Sequence, residues 1–408
     1  MPFRSDLPTP LSIARYRFGF ALMGPILAEC CHTLYTYLRA AADGDGSRAL
    51  YCARGGLTLK RALELFLARI ERAPPIAGTD FMVSRLAASR LALEVCPQRA
   101  APLLALEFEG SSCAMVASVL SGTAVPSRGV WAQPYQYERL FELMSVDPLG
   151  RRARAAMIEQ ATLLRAHIAS ISGNARTLHV VDTGVFGSIG HYLALGLSDK
   201  EVRPVMLFRA NYKRRAGLVL PPATGLVCDQ DDYTPWKPRS VSRLYWPLIE
   251  AFFEPSLPSV RLYRRADDGE VLSDLQKPDW QASLSSDSDS IRAGAFDYLR
   301  TLNPGSEAAI LERSTRAWRA LRRRIVYPTS EDVLLLGVSP RSLDFGVDDL
   351  VIFGEPVSNA SPLRRIAEVR DSIWPEGEIR RLFPKTAGIW LHLIEVSRTI
   401  ASAYRAVR

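Results

Sequence analysis

Short runs of buried-type residues alternate along the first half of the chain with longer stretches of helical period. Phe18 to Leu38 carries apolar residues at helical spacing (Leu22, Ile26, Leu34, Leu38), with a break expected at Gly24-Pro25. Asp43-Gly44-Asp45-Gly46 reads as a turn, Ala49 to Ala53 as a short buried strand, and Thr58 to Arg72 as a helix with Thr58 as its N-cap. Pro74-Pro75 stops that helix. Phe81 to Ser84 is a second strand, ending at Arg85 ahead of an Ala/Leu-rich helix. No clear period emerges between Gly110 and Gly150, whereas Arg151 to Ser170 is helical.

A second set follows. Leu178 to Val181 is a buried strand running into Asp182 and a glycine-punctuated turn through Gly190, after which a helix begins near His191. Pro204 to Phe208 is another buried strand, and Ser242 to Phe253 is helical. Val260 to Tyr263 and Glu270 to Leu272 form a hairpin across Asp268-Gly269. Residues 282 to 290 are polar and low in complexity, the expected linker; Ile291–Leu302, Ala308–Ile325 and Thr386–Val407 are helical, with a mixed stretch around Leu334 to Phe353. Strand–helix units in alternation predict an α/β fold, a Rossmann-like parallel sheet flanked by helices over residues 1–281, and a mainly helical C-terminal region over 291–408.

Composition narrows the class. At 408 residues, 48% hydrophobic and 23% charged, the chain has the make-up of a soluble globular protein. The net charge of +8 comes from 51 basic residues of which only 6 are Lys. Arg suits planar recognition of phosphate and carboxylate, but these arginines are scattered and form no stripe of the kind DNA demands. Six cysteines lack CxxC spacing and five histidines lack HxH or HxxxH spacing, so reduced thiols and no His-based metal site are expected. Arg4 and Asp6 precede any apolar run, no signal-peptide core follows, and the charge-free stretch from Gly110 to Ser127 is broken by Ser, Thr and Gly; a cytoplasmic location is expected. Asn359-Ala360-Ser361 matches a glycosylation sequon that has meaning only in an exported chain.

Two strand-end loops carry the candidate chemistry. Ala53-Arg54-Gly55-Gly56-Leu57 sets two glycines beside a guanidinium, a pattern suited to a diphosphate. Asp182 with Thr183, Gly184, Gly187 and Ser188 offers a carboxylate for sugar hydroxyls or Mg²⁺, and hydroxyl and N–H donors for a monophosphate at a helix start. A strand–Asp–x–Gly–x–x–Gly element also admits a methyltransferase, though no second acidic strand end is present, and GxxxxGK[ST] is absent, which excludes a P-loop kinase.

Together the two loops resemble the type I phosphoribosyltransferases: Ala-Arg-Gly-Gly-Leu is similar to their pyrophosphate loop, and Val-Val-Asp-Thr-Gly-x-x-Gly-Ser to their acidic strand end and 5-phosphate loop. Those enzymes carry two adjacent acidic residues where this chain has only Asp182, and their two loops lie much closer in sequence, which argues against nucleotide salvage. Gly24-Pro25, Tyr51 to Leu57, Met82 to Arg85, Val181 to Ser188, Ile249 to Phe253 and Pro258 to Tyr263 resemble a phosphoribosyltransferase-like module of bacterial surface-polysaccharide clusters, often joined to a HAD-type phosphatase.

That resemblance implies transfer of 5-phosphoribofuranose from phosphoribosyl pyrophosphate (PRPP) to a hydroxyl of a glycan or lipid-linked saccharide. Mg²⁺ would assist, pyrophosphate would leave, and the linkage would be β. Arg54, Gly55, Gly56, Arg85, Asp182, Thr183, Gly184, Gly187 and Ser188 would bind PRPP, Asp182 would hold the metal, and Asp182 and Glu250 would be catalytic. The chain lacks the Asp-x-Asp opening of a HAD domain, so the phosphatase would be a separate protein, and the acceptor implies work at the inner face of the membrane with peripheral contact. Two alternatives stand beside this reading: a PRPP-dependent transferase acting on a base or small molecule, and a non-catalytic basic module binding nucleic acid or acidic glycan. The last predicts binding that weakens steeply with salt and ignores Asp182.

Overall fold

The structure, a computed structural model, describes residues 9–210, 223–230, 232–255, 257–277, 279–285, 289–337, 341–342, 350–351 and 361–407. Five strands form one parallel sheet: β1 (Ser47–Cys52), β2 (Gly78–Phe81), β3 (Thr177–Asp182), β4 (Glu201–Arg209) and β5 (Thr224–Asp229), in the order β2-β1-β3-β4-β5. The expected α/β architecture with a helix-flanked parallel sheet is therefore present. β1 and β3 read as continuous apolar runs because both their faces are covered. Leu50 and Cys52 of β1, with Leu178 and Val180 of β3, enter the core on one face of the sheet; Ala49, Tyr51 and Val181 enter the core on the other.

On the first face lie helices Arg85–Val95, Pro97–Glu107, Cys113–Ser121, Tyr137–Val146, Pro148–Ser172 and Ser188–Gly196. On the second lie Gly24–Ala41, Gly55–Arg69, Trp246–Phe253, Ser290–Arg300 and Glu307–Val326. The C-terminal helical region thus shares its core with the sheet: Trp318 packs edge-on against Phe208 of β4, their ring centroids 5.8 Å apart. The division expected at 282–290 meets a short 3-10 turn, Trp280–Leu284, and Asp289, whose carboxylate caps the next helix; 286–288 lie outside the described residues.

Several local readings are corrected. The chain does not break at Gly24-Pro25: Pro10–Phe18 runs through a π-helical turn, Gly19–Met23, straight into Gly24–Ala41. Both glycines serve helix packing, since a Cβ at Gly19 would lie 2.0 Å from the Ile291 carbonyl oxygen and one at Gly24 would lie 2.3 Å from Cβ of Tyr298. Thr58 is not an N-cap but sits buried inside a helix that already starts at Gly55. Between Gly110 and Gly150 the small, nearly uniformly apolar helix Cys113–Ser121 hides its period because several of its sides are buried. The 242–253 helix is two pieces interrupted at Tyr245, and the hairpin pairs Tyr263–Arg265 with Val271–Ser273. Arg4, Asp6, Asn359 and most of 334–353 lie outside the described residues.

Candidate functional site

In an open parallel sheet the crevice for a ligand opens where neighbouring strands send their chains to opposite faces, beyond the strand C-termini. Here that point lies between β1 and β3. β1 delivers Arg54 there and β3 delivers Asp182, and both line one cavity of about 380 Å³. Arg85, Gly184, Gly187, Ser188 and Glu250 line the same cavity. Gly55, Gly56 and Thr183 stand behind it. A Cβ on Gly55 would lie 2.3 Å from Thr183 Oγ1, and one on Gly56 would lie 2.9 Å from the Val181 carbonyl oxygen, so these residues let the two loops touch.

Arg54 has φ 70° and ψ −107°, backbone territory that favours glycine. Its guanidinium is held from across the cavity: Nη1 donates to Ser259 Oγ at 2.8 Å and Nη2 pairs with the Glu254 carboxylate. The strained turn and the two anchors aim one cation at the strand ends.

Asp182 closes the opposite loop. Its Oδ1 accepts the Thr183 N–H at 2.7 Å. Burial raises its pKa above the usual carboxylate range and the charge of Glu254 adds to this, against the pull of the Gly184 and Thr183 N–H groups and of Arg85. Gly187, at φ 78°, then turns the chain into helix Ser188–Gly196. That helix and Gly55–Arg69 both begin without a side-chain cap, whereas Ser84 Oγ caps Arg85–Val95 by accepting the Ala87 N–H at 3.1 Å. Uncapped first-turn N–H groups and the positive end of the helix dipole suit an anion.

The third wall comes from the segment after β5. Trp246 lines the cavity and tilts against Phe208 at 5.0 Å; Glu254 caps the C-terminal end of the Trp246–Phe253 helix, and Glu250 lies on that helix. Just before it, the Tyr245 hydroxyl accepts from Arg398 Nη2 at 2.8 Å and donates to Glu376, so the C-terminal helices brace this wall.

The cavity sets three cations, Arg54, Arg85 and Arg243, against three carboxylates, Asp182, Glu250 and Glu254. Arg85 also faces Glu107 at 3.4 Å. An incoming anion therefore exchanges with carboxylates already in place. Among the described residues no group of three or more His, Cys, Asp or Glu is set to hold a metal ion. The expected Mg²⁺ fits here only as a companion of a diphosphate, which supplies most of its oxygens itself while the protein adds one carboxylate.

Sequence reasoning missed Ser84, Arg243, Trp246, Glu254 and Ser259. Glu254 was within reach, four residues after Glu250 at the end of the same helical pattern; Ser259 lies in the Pro258–Tyr263 stretch that carries the resemblance, but its residue type alone marks no role. The thiols are free as expected, with Cys30, Cys31, Cys52 and Cys113 buried. Among the described residues no helix is long and apolar enough to cross a membrane. No family model matches the chain, and no curated protein matches it. Fold and site together define an α/β protein with a charged crevice at its sheet's topological switch point.

Proposed function

We propose that this crevice binds PRPP and that the protein transfers 5-phosphoribofuranose to a hydroxyl of a glycan or lipid-linked saccharide, on a fold of the type I phosphoribosyltransferase kind. One observation carries the reading: loops far apart in sequence, one with Arg54 and one with Asp182, line a single cavity at the β1/β3 switch point. A PRPP molecule needs donors for two separated phosphate groups with a sugar between them, and the cavity has the Arg54 guanidinium at one loop and the uncapped helix start at Ser188 at the other.

In this reading the Gly187–Ser188 turn takes the 5-phosphate, Arg54 and Arg85 take the diphosphate, and Asp182 faces the ribose hydroxyls. Mg²⁺, arriving with the donor, would neutralise charge on the departing diphosphate. The bond from C1 to the diphosphate oxygen breaks with its electron pair leaving on pyrophosphate, and the acceptor oxygen bonds C1 from the opposite face, giving a β linkage. Glu250 takes the acceptor's proton. The Asp182 carboxylate favours the positive charge that builds on the sugar ring. A separate HAD-type phosphatase would remove the 5-phosphate, and a lipid-linked acceptor would bring the protein to the inner face of the membrane.

Calorimetry with PRPP and Mg²⁺ tests the donor half. Saturable binding that Asp182→Asn abolishes is expected, and absence of binding would sink the proposal. With binding established, pyrophosphate release on adding saccharide acceptors rather than free bases separates glycan transfer from base transfer.

A further inference from the structure

The C-terminal helix, Ala387–Val407, has two unlike faces. Its inner face is tied down: Leu391 is buried beside Ile379, the Glu395 carboxylate accepts from Tyr233 Oη at 2.6 Å and pairs with Arg322, and Arg398 pairs with buried Glu376. Its outer face carries Ile389, Trp390, Leu393, Val396, Ile400 and Tyr404, each more than half exposed. Ile389, Leu393, Val396, Ile400 and Ala403 follow a 4-3-4-3 spacing, the a/d seam of a coiled coil rather than the broader stripe of a helix that packs on its own core.

We propose that this stripe is a homodimer interface, in which the helix pairs with the same helix of a second copy about a two-fold axis. Three features select that occupant. The seam from Ile389 to Ala403 repeats through two heptads of the 21-residue helix, about 21 Å. Six large apolar side chains, each more than half exposed, stand together on this one helix face, a concentration that marks interaction surfaces rather than the singly scattered apolar residues of a monomer's surface. The positions flanking the seam are His392, Trp390, Ser397, Thr399 and Tyr404, so two copies of a chain of net charge +8 meet there without like-charge repulsion from acidic or basic side chains.

A membrane surface fits less well. Interfacial helices carry Lys and Arg along the edges of the apolar face, whereas the helix's Arg398 and Arg405 are turned to Glu376 and Asp232. The anchored inner face also means that the seam is rigid before pairing, which lowers the entropy lost on association.

Sedimentation equilibrium of the full chain at micromolar concentration is expected to give twice the 45.2 kDa chain mass. Leu393→Glu combined with Ile400→Glu should give a monomer with unchanged far-UV circular dichroism. Ser397→Arg, at an exposed polar flank where folding does not depend on the side chain, should weaken the dimer at least tenfold. A wild-type monomer overturns the proposal, as does a dimer that persists in both variants. So does a chain that pellets with phosphatidylglycerol vesicles and loses this with Leu393→Glu and Ile400→Glu, since the stripe would then serve a membrane. None of these outcomes depends on PRPP binding.

Discussion

Arg54 holds a backbone conformation that a β-carbon opposes, and it does so at the mouth of the cavity. Arg54→Ala and Arg54→Gly both lose the guanidinium and its bonds to Glu254 and Ser259, and differ only in that strain. Urea unfolding should therefore find the glycine variant more stable than the alanine variant by about 1 kcal/mol. Both should bind PRPP ten- to a hundredfold more weakly, the scale of a lost charge-assisted contact of roughly 1.5–3 kcal/mol. Asp182 carries the opposite trade. Its folded-state pKa is raised by burial, so its contribution to stability is fully present below the unfolded carboxylate value of about 4 and is lost as pH rises through the folded value. At neutral pH the ionised side chain costs stability. Asp182→Asn, which keeps an acceptor for the Thr183 N–H, should melt no lower than wild type at pH 7 while losing PRPP binding; a variant that melts lower and still binds contradicts both statements.

At the scale of elements, the site depends on how closely helix Gly55–Arg69 approaches β3. Gly55→Ala would put a methyl group 2.3 Å from Thr183 Oγ1 and 3.2 Å from its Cβ, so turning the buried Thr183 side chain does not by itself clear the contact. A loss of 1–3 kcal/mol is expected, the range for overpacking, together with weaker donor binding because both phosphate loops shift. Gly187→Ala acts differently. There the φ of 78° is the obstacle, with Met206 Cε only 3.2 Å from a new Cβ, so the 5-phosphate turn should distort and donor affinity fall. Titration calorimetry beside thermal unfolding on both variants separates affinity from stability.

For the whole molecule, buried histidines make stability sensitive to acid, and His167 is the one held lowest. His167, stacked on Phe81 with ring centroids 6.0 Å apart, is held to about 4 by burial. Its unfolded value is about 6.5, so between pH 6.5 and 4 the unfolded chain binds more protons and stability falls as pH falls. The shift corresponds to on the order of 3 kcal/mol. His167→Phe should remove that part of the slope in unfolding measured from pH 7 to 4; an unchanged slope assigns the acid sensitivity to other groups.

Taken by itself, the sequence determined β1, β3, β4 and both loops, whereas β2 lies three residues earlier than its apolar run suggests and β5, Thr224–Asp229, carries no strand signal of its own. β1 and β3 are apolar runs long enough to be unmistakable, and glycines beside Arg54 and Asp182 mark sharp turns whatever surrounds them. It also determined the long helices, such as Pro148–Ser172 and Glu307–Val326, whose period survives because one side faces water. Only the tertiary structure decided that the Arg54 and Asp182 loops adjoin, because strand order is set by pairing between segments remote in the chain. It alone supplied Glu254 and Ser259 as Arg54's partners. It also separated the two meanings of an apolar helix position, since Leu391 and Leu393 are alike in sequence while one is buried and the other faces outward. Local pattern records what a residue prefers; which neighbour meets that preference is a property of the folded chain.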